Sequence, residues 1–217
     1  MCAELPAARI RSELALPIRS ADGFATVARA YTFDGLVDGR EHLALRLGDA
    51  GDRGDATPLV RLHSECLTGD VLGSQRCDCG PQLNEAIERL TEAGGYLLYL
   101  RQEGRGIGLY NKLDAYKLQD GGLDTYQANL ALGHGADERD YTVGAQMLAA
   151  LGIGTLALLS NNPDKAAQLA AAGLTVVERV ATGVHVSPDN VAYLAAKALR
   201  GDHDLELGDA QTSVLGY

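Results

Sequence analysis

The sequence predicts an α/β fold, a mixed α+β arrangement in which strands alternate with helices around a largely mixed sheet in a single compact domain. From residue 80 onward, short apolar segments of strand length alternate with longer helical segments that end at glycine. The 217 residues are also enough to bury a full hydrophobic core. We expect this domain to span residues 1–200, followed by a flexible acidic tail at residues 201–217.

Local patterns place the elements in order. Residues 1–40 carry only weak strand signals. Alternating or short apolar runs predict strands at residues 42–49, 58–65, 96–101, 155–160 and 174–180. Helical patterns predict helices at residues 81–95, 111–120, 141–151, 164–173 and around 191–199. Asp140 is the expected N-cap of the third helix, and Asn162 and Pro163 are expected to start the fourth.

Charge and composition limit the possible functions. A formal net charge of −10 argues against a broad surface for a nucleic-acid polymer, because such surfaces neutralise phosphates with many basic side chains. A few local basic residues still suffice for one small anionic ligand that arrives with a divalent cation. No apolar run approaches the ~20 residues that a spanning helix needs, and the N-terminus lacks the pattern of a signal peptide. We therefore expect a cytoplasmic protein with no membrane partner.

Three of the four cysteines, Cys66, Cys77 and Cys79, lie within fourteen positions. Thiolates bind zinc well, and three protein ligands leave a fourth coordination position open, as catalytic zinc sites require. The paired CxxC arrangement of many structural zinc sites is absent here. We therefore interpret the cluster as a catalytic zinc site. Three inert buried thiols, or a structural site completed by His63, are the alternatives.

Two further segments carry charged side chains near predicted turns. RQEGRGIGLYNK, residues 101–112, places a glycine-rich turn between a strand and a helix, where backbone N–H groups and a helix N-terminus can face a phosphate. Glu103 and Arg105 inside this turn favour a ligand site over an ordinary connection. The segment GADERDY carries Asp137 and Arg139, and from the sequence alone we interpret it as an exposed charged loop.

These motifs occur together, in this order, in one known family. The segments RLHSECLTGD, RCDCG, RQEGRGIGL, DERDY and NNPDK, between about residues 58 and 181, strongly resemble GTP cyclohydrolase II. The resemblance implies a zinc-dependent catalytic domain that opens the imidazole ring of GTP as the first step of riboflavin biosynthesis. Formate and pyrophosphate are released, and a diaminopyrimidinone ribosylamino 5′-phosphate remains. The resemblance also implies a homodimer and Mg²⁺ bound with the triphosphate.

The resemblance assigns roles residue by residue. It implies that the three cysteines bind zinc, that Asp137 accepts a proton, that Arg139 attacks the α-phosphate and that Tyr116 assists the chemistry at the base. Because a guanidinium stays protonated and is a poor nucleophile, we favour a role for Arg139 as a clamp for transition-state charge. The positions implied to bind the nucleotide are Arg61, Leu62, His63, Ser64, Glu65, Gln82, Glu103, Gly104, Arg105, Thr125, Ser160 and Lys165.

Two other functions stay open at this point. A paralogue of specialised metabolism could share the fold and convert GTP to a formylated pyrimidine or a related product. A non-catalytic nucleotide sensor could also keep the fold, but the intact cysteines and the Asp137–Arg139 segment argue against it. The synthase domain that some relatives carry at the N-terminus is not expected, since the zinc motif begins near residue 61.

Overall fold

A computed structural model describes residues 6–20, 22–49, 57–135, 137–191 and 194. The strands are β1 (Arg9–Arg19), β2 (Ala25–Asp34), β3 (Leu43–Leu47), β4 (Leu59–Ser64), β5 (Gly95–Leu100), β6 (Thr155–Leu159) and β7 (Thr175–Val180). The helices are α1 (Cys79–Ala93), α2 (Leu109–Asp120), α3 (Thr125–Ala131), α4 (Thr142–Ala150) and α5 (Pro163–Ala171). Two short helical turns complete the set, the π-helical turn Leu67–Val71 and the glycine turn Glu103–Gly106.

The seven strands form one sheet in the order β1-β2-β3-β5-β4-β6-β7. Neighbouring strands from β1 to β5 in this order run antiparallel, whereas β4–β6 and β6–β7 are parallel. The parallel pair β6–β7 needs a crossover connection, which α5 provides. A mixed sheet with intervening helices confirms the predicted α/β class.

Residue contacts divide the chain into two compact units, a division that the sequence patterns did not predict. Unit 1 contains residues 1–63, 84–101 and 140–182, and with them nearly all of the sheet. Unit 2 contains residues 64–83, 102–139 and 183–217, and with them both short turns, α2 and α3. The acidic tail expected at 201–217 lies outside the described residues, as does most of the helix expected around 191–199.

The hydrophobic core of unit 1 is formed by side chains from β4, β5, β6, α4 and α5. Strand β5 buries a nearly continuous apolar run, and β4 buries four consecutive residues from Val60 to His63, as is typical of strands covered on both faces. Each fully buried leucine stabilises the folded state by about 1.5–3 kcal/mol. The core side chains from these elements include Val60, Leu62, Leu98, Leu100, Val143, Met147, Leu148, Leu156, Leu158 and Leu169, together with Leu174, which follows α5.

The predicted helix starts are right at α5 and one residue off at α4. The Asn162 side chain accepts a hydrogen bond from the N–H of Asp164 at 2.9 Å, and Pro163 is the first helical residue, as predicted. At α4, however, the N-cap is Tyr141 and not Asp140. The Asp140 carboxylate still accepts from the N–H of Thr142 at 2.7 Å, so it satisfies a free donor from one position earlier.

Three elements, β1, β2 and α3, gave little signal in the sequence. Strands β1 and β2 form a long antiparallel pair from Arg9↔Asp34 to Arg19↔Ala25, and most of β1 is exposed, so no buried face marks it. Helix α3 has only seven residues, although its capping box, in which Asp124 and Gln127 bond to each other's backbone, is readable. Among the described residues, no helix is both long and apolar enough to cross a membrane.

Gly95→Ala should destabilise the protein strongly. Gly95 begins β5, and a Cβ there would lie 2.2 Å from the carbonyl oxygen of Leu59 and 2.6 Å from Leu90 Cδ2. Since backbone must move to relieve the first contact, we expect a loss of about 1–3 kcal/mol or more in the free energy of unfolding. Gly154→Ala, where a Cβ meets nothing within 4 Å, is the matched control. Chemical denaturation measures both, and equal stabilities would contradict the expected contact.

Candidate active site

Three cysteines of unit 2 form a compact thiol group. The Sγ atoms of Cys66, Cys77 and Cys79 all lie within 4.8 Å of one another, and those of Cys66 and Cys77 are 3.6 Å apart. Cys66 precedes the π-helical turn, and Cys79 is the first residue of α1. Within the described part of unit 2, no carboxylate or imidazole joins this group. The structure therefore brings together the three cysteines that the sequence singled out.

Glycine backbone lies so close to the thiol group that an added side chain would contact the sulfur atoms. A Cβ at Gly69, inside the π-helical turn, would lie 2.8 Å from Cys77 Sγ and 3.1 Å from Cys66 Sγ. A Cβ at Gly80 would lie 2.4 Å from the Gly69 carbonyl oxygen. Asp70 closes the turn, because its carboxylate accepts from the N–H of Cys66 at 3.0 Å. Converging soft ligands of this kind fit one zinc ion, with a coordination position left for water, better than three inert thiols.

A buried ion pair lies beside Cys66. Lys112 Nζ donates to Cys66 Sγ at 3.0 Å and to Glu103 Oε1 at 2.8 Å. The Glu103 carboxylate also accepts from the N–H of Leu67 at 2.7 Å and from that of Gly104 at 2.9 Å. These bonds join the π-helical turn, the glycine turn and α2 around the thiol group.

Negative charge in the thiol group concentrates on one sulfur. Hydrogen bonds from Cys77 and Cys79 lower the pKa of Cys66 against the effect of burial, and the Lys112 ammonium lowers it further. Hydrogen bonding to Cys66 raises the pKa of Cys77 to about 11 and the pKa of Cys79 well above its usual value. Burial acts to lower the pKa of Lys112, but attraction to the Cys66 thiolate and hydrogen bonds to Cys66 and Glu103 raise it. Cys66 is therefore the thiol that ionises first, next to a permanent ammonium.

Tyr116 reaches the thiol group through Thr68. Its hydroxyl is 3.4 Å from Thr68 Oγ1, which is in turn 3.7 Å from Cys66 Sγ. The guanidinium carbon of Arg76 lies 4.9 Å from the centroid of the Tyr116 ring, and Lys112 Nζ lies 5.8 Å from it. Burial raises the pKa of Tyr116, and the hydrogen bond with Thr68 opposes this only in part. The phenol is therefore protonated at neutral pH and is able to donate a proton.

The glycine turn has a strained backbone. Gly104 and Arg105 have φ values of 63° and 60°, and Arg105 is the only non-glycine residue with positive φ in the part of the chain that the structure describes. This conformation costs a residue with a side chain about 1–2 kcal/mol. The Arg105 guanidinium lies 4.4 Å from the ring centroid of Tyr126, and its carbonyl accepts from the N–H of Glu138 at 3.0 Å. Strain held in place by such contacts is typical of ligand-binding turns.

Asp137 and Arg139 form an ion pair in a non-helical segment. Arg139 Nε donates to Asp137 Oδ1 at 2.8 Å, a second guanidinium nitrogen donates to Oδ2, and the Arg139 N–H donates to Oδ1 at 3.1 Å. The segment is a loop in which Asp137, Glu138 and Asp140 are exposed, as its sequence suggested, although the Arg139 side chain itself is only 13% exposed. Burial acts to raise the pKa of Asp137, but the hydrogen bonds and charge of Arg139 lower it. The carboxylate is therefore ionised at neutral pH and holds the guanidinium by two parallel bonds.

The other predicted nucleotide-binding residues of unit 2 lie at or near the ends of strands and helices. Ser64 Oγ donates to Gln102 Oε1 at 3.4 Å. Gln82 lies in the first turn of α1, and its Nε2 donates at 2.6 Å to Oδ2 of Asp78, the residue before the helix. Glu65, which follows β4, and Thr125, which begins α3, are both half-buried.

Unit 1 contains the remaining predicted residues, on β4, after β6 and on α5: Arg61, Leu62, His63, Ser160 and Lys165. Arg61 and Lys165 are cations with only 5% and 6% of their surface exposed. Arg61 donates to the carbonyl of Leu159 at 3.1 Å, and Lys165 to that of Leu62 at 2.8 Å. The His63 ring stacks on Tyr99 with the centroids 5.6 Å apart. Each of these contacts lies within unit 1.

Several residues of the thiol surroundings have no assigned role in the sequence analysis: Gly69, Asp70, Thr68, Arg76 and Lys112. Lys112 precedes Tyr116 by one helical turn on α2, so its position on the same face was readable from the spacing. The contact of Lys112 with Cys66 was not readable, because the two residues are 46 positions apart.

Known proteins with similar sequences are informative about this site. The profile of a family described as GTP cyclohydrolase II matches residues 11–181, a range that contains every predicted site residue. A GTP cyclohydrolase-2 of Vibrio parahaemolyticus is 54% identical over 180 residues, which cover 83% of this chain and 90% of that protein. A GTP cyclohydrolase-2 of Psychromonas ingrahamii is 50% identical over 195 residues, covering 90% and 96% respectively.

A longer protein also matches. The riboflavin biosynthesis protein RibBA of Salinispora arenicola is 53% identical over 192 residues, which cover 88% of this chain but only 45% of that protein.

Gly69→Ala should reduce zinc binding more than it reduces stability. The added methyl group would displace Cys77 Sγ, which can rotate away cheaply but then no longer points at a shared ion. We expect zinc affinity to fall by about 10- to 100-fold, as for other changes beside metal ligands. Competition with a chelator and elemental analysis measure it, with Gly154→Ala as the control. Wild-type zinc affinity in Gly69→Ala would show that the close contact does not matter for the metal.

Proposed function

This chain belongs to the GTP cyclohydrolase II family, and from that membership we propose that it is a zinc-dependent hydrolase that opens the imidazole ring of GTP. C8 leaves as formate and the two outer phosphates leave as pyrophosphate, so that a diaminopyrimidinone ribosylamino 5′-phosphate remains. This is the first step of riboflavin biosynthesis, in agreement with the name of the riboflavin biosynthesis protein RibBA that is similar to this chain. The observation that carries the proposal is the convergent thiol group Cys66, Cys77 and Cys79.

The thiol group is the metal site of this reaction. Cys66, Cys77 and Cys79 would hold zinc, which would supply Lewis acidity for the activation of water near C8 of the purine. The close approach of Gly69 to the sulfur atoms supports a site built for one ion. Mg²⁺ accompanies the triphosphate, since hard divalent cations prefer phosphate oxygens to thiolates.

Tyr116 is assigned to the chemistry at the base. Its hydroxyl is connected through Thr68 to Cys66 and is protonated at neutral pH, so it is placed to donate a proton near the metal. We assign it to ring opening at C8 or to the release of formate, and not to the release of pyrophosphate.

Charged and polar side chains are assigned to the nucleotide. Arg61, Arg105 and Lys165 are suited to phosphate oxygens, since each is a basic side chain whose head group is held in place by its surroundings. Glu103 and Gly104 belong to the strained glycine turn. The full set is Arg61, Leu62, His63, Ser64, Glu65, Gln82, Glu103, Gly104, Arg105, Thr125, Ser160 and Lys165.

Asp137 and Arg139 are assigned to the release of pyrophosphate. Their bidentate pairing orients the guanidinium, and a guanidinium stays protonated at ordinary pH, so Arg139 suits a charge clamp better than a nucleophile and water is the group that attacks the α-phosphate. Asp137 is in the form that accepts protons, but its lowered pKa makes it a weak base in the absence of ligand. Its first role is then to orient Arg139.

The oligomeric state, the compartment and the partners of the enzyme are also proposed. Family resemblance supports a homodimer, and three free cysteines in the described residues agree with a reducing, cytoplasmic compartment. The net charge of −10 supports a small anionic substrate in place of a nucleic-acid polymer, and no membrane partner is proposed.

Incubation with GTP tests the proposed reaction. Mass spectrometry of the products should show formate, pyrophosphate and the diaminopyrimidinone phosphate, formed by protein that carries zinc. Cys77→Ser should lose zinc and formate release together, while remaining folded, because the site is catalytic and not structural. A formylated product that accumulates would support the paralogue of specialised metabolism. Formate release by zinc-free wild type would disprove the metal assignment.

The role of Arg139 is decided by a search for a covalent adduct. If Arg139 acts as a clamp, wild-type protein mixed with α-labelled GTP and quenched rapidly should carry no label. Acid and alkaline quenches are both needed, since a phosphoramidate is acid-labile. Arg139→Lys should lose most activity under either mechanism, because lysine lacks the planar fork that pairs with Asp137. Label that forms and decays at the rate of turnover, and is absent from Arg139→Lys, would establish the nucleophile instead.

A further inference from the structure

Lys112 has contacts that the proposed roles do not explain. Its ammonium donates to Cys66 Sγ at 3.0 Å and to Glu103 Oε1 at 2.8 Å, so one group contacts a zinc ligand and a nucleotide-binding residue. The side chains of Lys112 and Glu103 are only 11% and 10% exposed. Burial of a charged group is unfavourable unless the group is paired and hydrogen-bonded. These two contacts therefore account for the presence of a lysine at this position.

The glycine turn and α2 together fix the position of the ammonium. The N–H of Gly108 donates to the Glu103 carbonyl at 3.0 Å, and the N–H of Lys112 donates to the Gly108 carbonyl at 3.1 Å. The turn thus continues directly into the helix. A Cβ at Gly104 would lie 3.1 Å from Lys112 Cβ and 3.8 Å from Lys112 Cδ, so the absent side chain leaves room for the lysine stem.

Charge explains what this ammonium does for the thiol group. Three thiolates around a divalent ion carry a surplus negative charge, which is unfavourable in a buried site. A hydrogen bond from Lys112 compensates that charge and holds Cys66 Sγ in place, as outer-shell donors do for metal ligands. Glu103 does not pull the Lys112 ammonium away from Cys66, because hydrogen bonds from the N–H groups of Leu67 and Gly104 already satisfy part of the charge on its carboxylate.

On the basis of the function proposed above, we propose that Lys112 is a positioning residue whose single ammonium holds Cys66 for zinc and Glu103 for the nucleotide. Zinc retention then depends on Glu103, which is not a metal ligand, because Glu103 anchors Lys112. Loss of the ammonium also releases the glycine turn and weakens GTP binding.

The first test measures zinc retention without GTP. Lys112→Met keeps the length of the stem and removes the charge, and its zinc should transfer to a chromogenic chelator about 10- to 100-fold faster than that of the wild type. Lys112→Arg keeps the charge and should restore part of the retention. Lys117→Met is the matched control, because Lys117 is on the same helix, its side chain is 80% exposed and it forms an ion pair with Asp114. Wild-type retention in Lys112→Met would overturn the proposal.

A double-mutant cycle tests the dependence on Glu103. Glu103→Gln should speed zinc transfer in the wild-type background, where it frees Lys112, and should have no further effect in Lys112→Met. If the two substitutions increased the zinc-transfer rate by independent factors that multiply in the double mutant, the proposed link between Glu103, Lys112 and Cys66 would be wrong. Circular dichroism and thermal unfolding of the zinc-free proteins should be the same for all variants, which separates positioning from a folding defect.

Steady-state kinetics with GTP complete the test. Lys112→Met that is kept saturated with zinc should show a raised KM, since Glu103 is released, with a smaller change in kcat. If the wild type does not convert GTP, the proposed function is wrong, but the zinc-transfer rates still test whether Lys112 holds Cys66 for zinc. If GTP is converted but Lys112→Met retains zinc and KM, only the inference about Lys112 fails.

Discussion

The placement of three sulfur atoms within 4.8 Å of one another is the constraint on which unit 2 depends. Thiolates at such distances repel one another unless positive charge lies among or beside them. Gly69 and Gly80 allow the backbone to come close enough, and Lys112 provides an ammonium at one sulfur. Much of the site's geometry therefore comes from backbone packing, which is stiffer than rotation of single side chains.

Each cation near the site in unit 2 is held by a partner of suitable chemistry. Lys112 is held by Glu103, Arg105 lies over the ring of Tyr126, and Arg139 is paired with Asp137. In a chain of net charge −10, oriented guanidinium groups such as those of Arg105 and Arg139 are suited to an anionic ligand. Groups already oriented in the free protein need little rearrangement when charge develops during the reaction.

The hydrophobic core and the thiol group lie in different parts of the chain. The buried leucines of unit 1 and its sheet supply the core, whereas the thiols, the glycine turn and the Asp137–Arg139 pair belong to connections and helix ends in unit 2. β4 leads directly into the residues before Cys66, and β5 leads into the glycine turn. Strained or close-packed turns of this kind persist because regular elements on either side hold their ends.

The sequence by itself determined the features that depend on spacing within one continuous segment. The alternation of strands and helices, the helix start at Asn162 and Pro163, and the cluster of three cysteines are all of this kind. Family motifs added the nucleotide and the reaction, which no periodicity reveals.

Only the tertiary structure decided which distant groups meet and how the backbone turns between them. Lys112 and Cys66 are 46 positions apart, so no local pattern could pair them. Asp137 and Arg139 are neighbours in sequence, yet their pairing required a non-helical backbone that the charged segment did not specify. Local propensity acts over a few residues, whereas burial and charge pairing act between segments that only folding brings into contact.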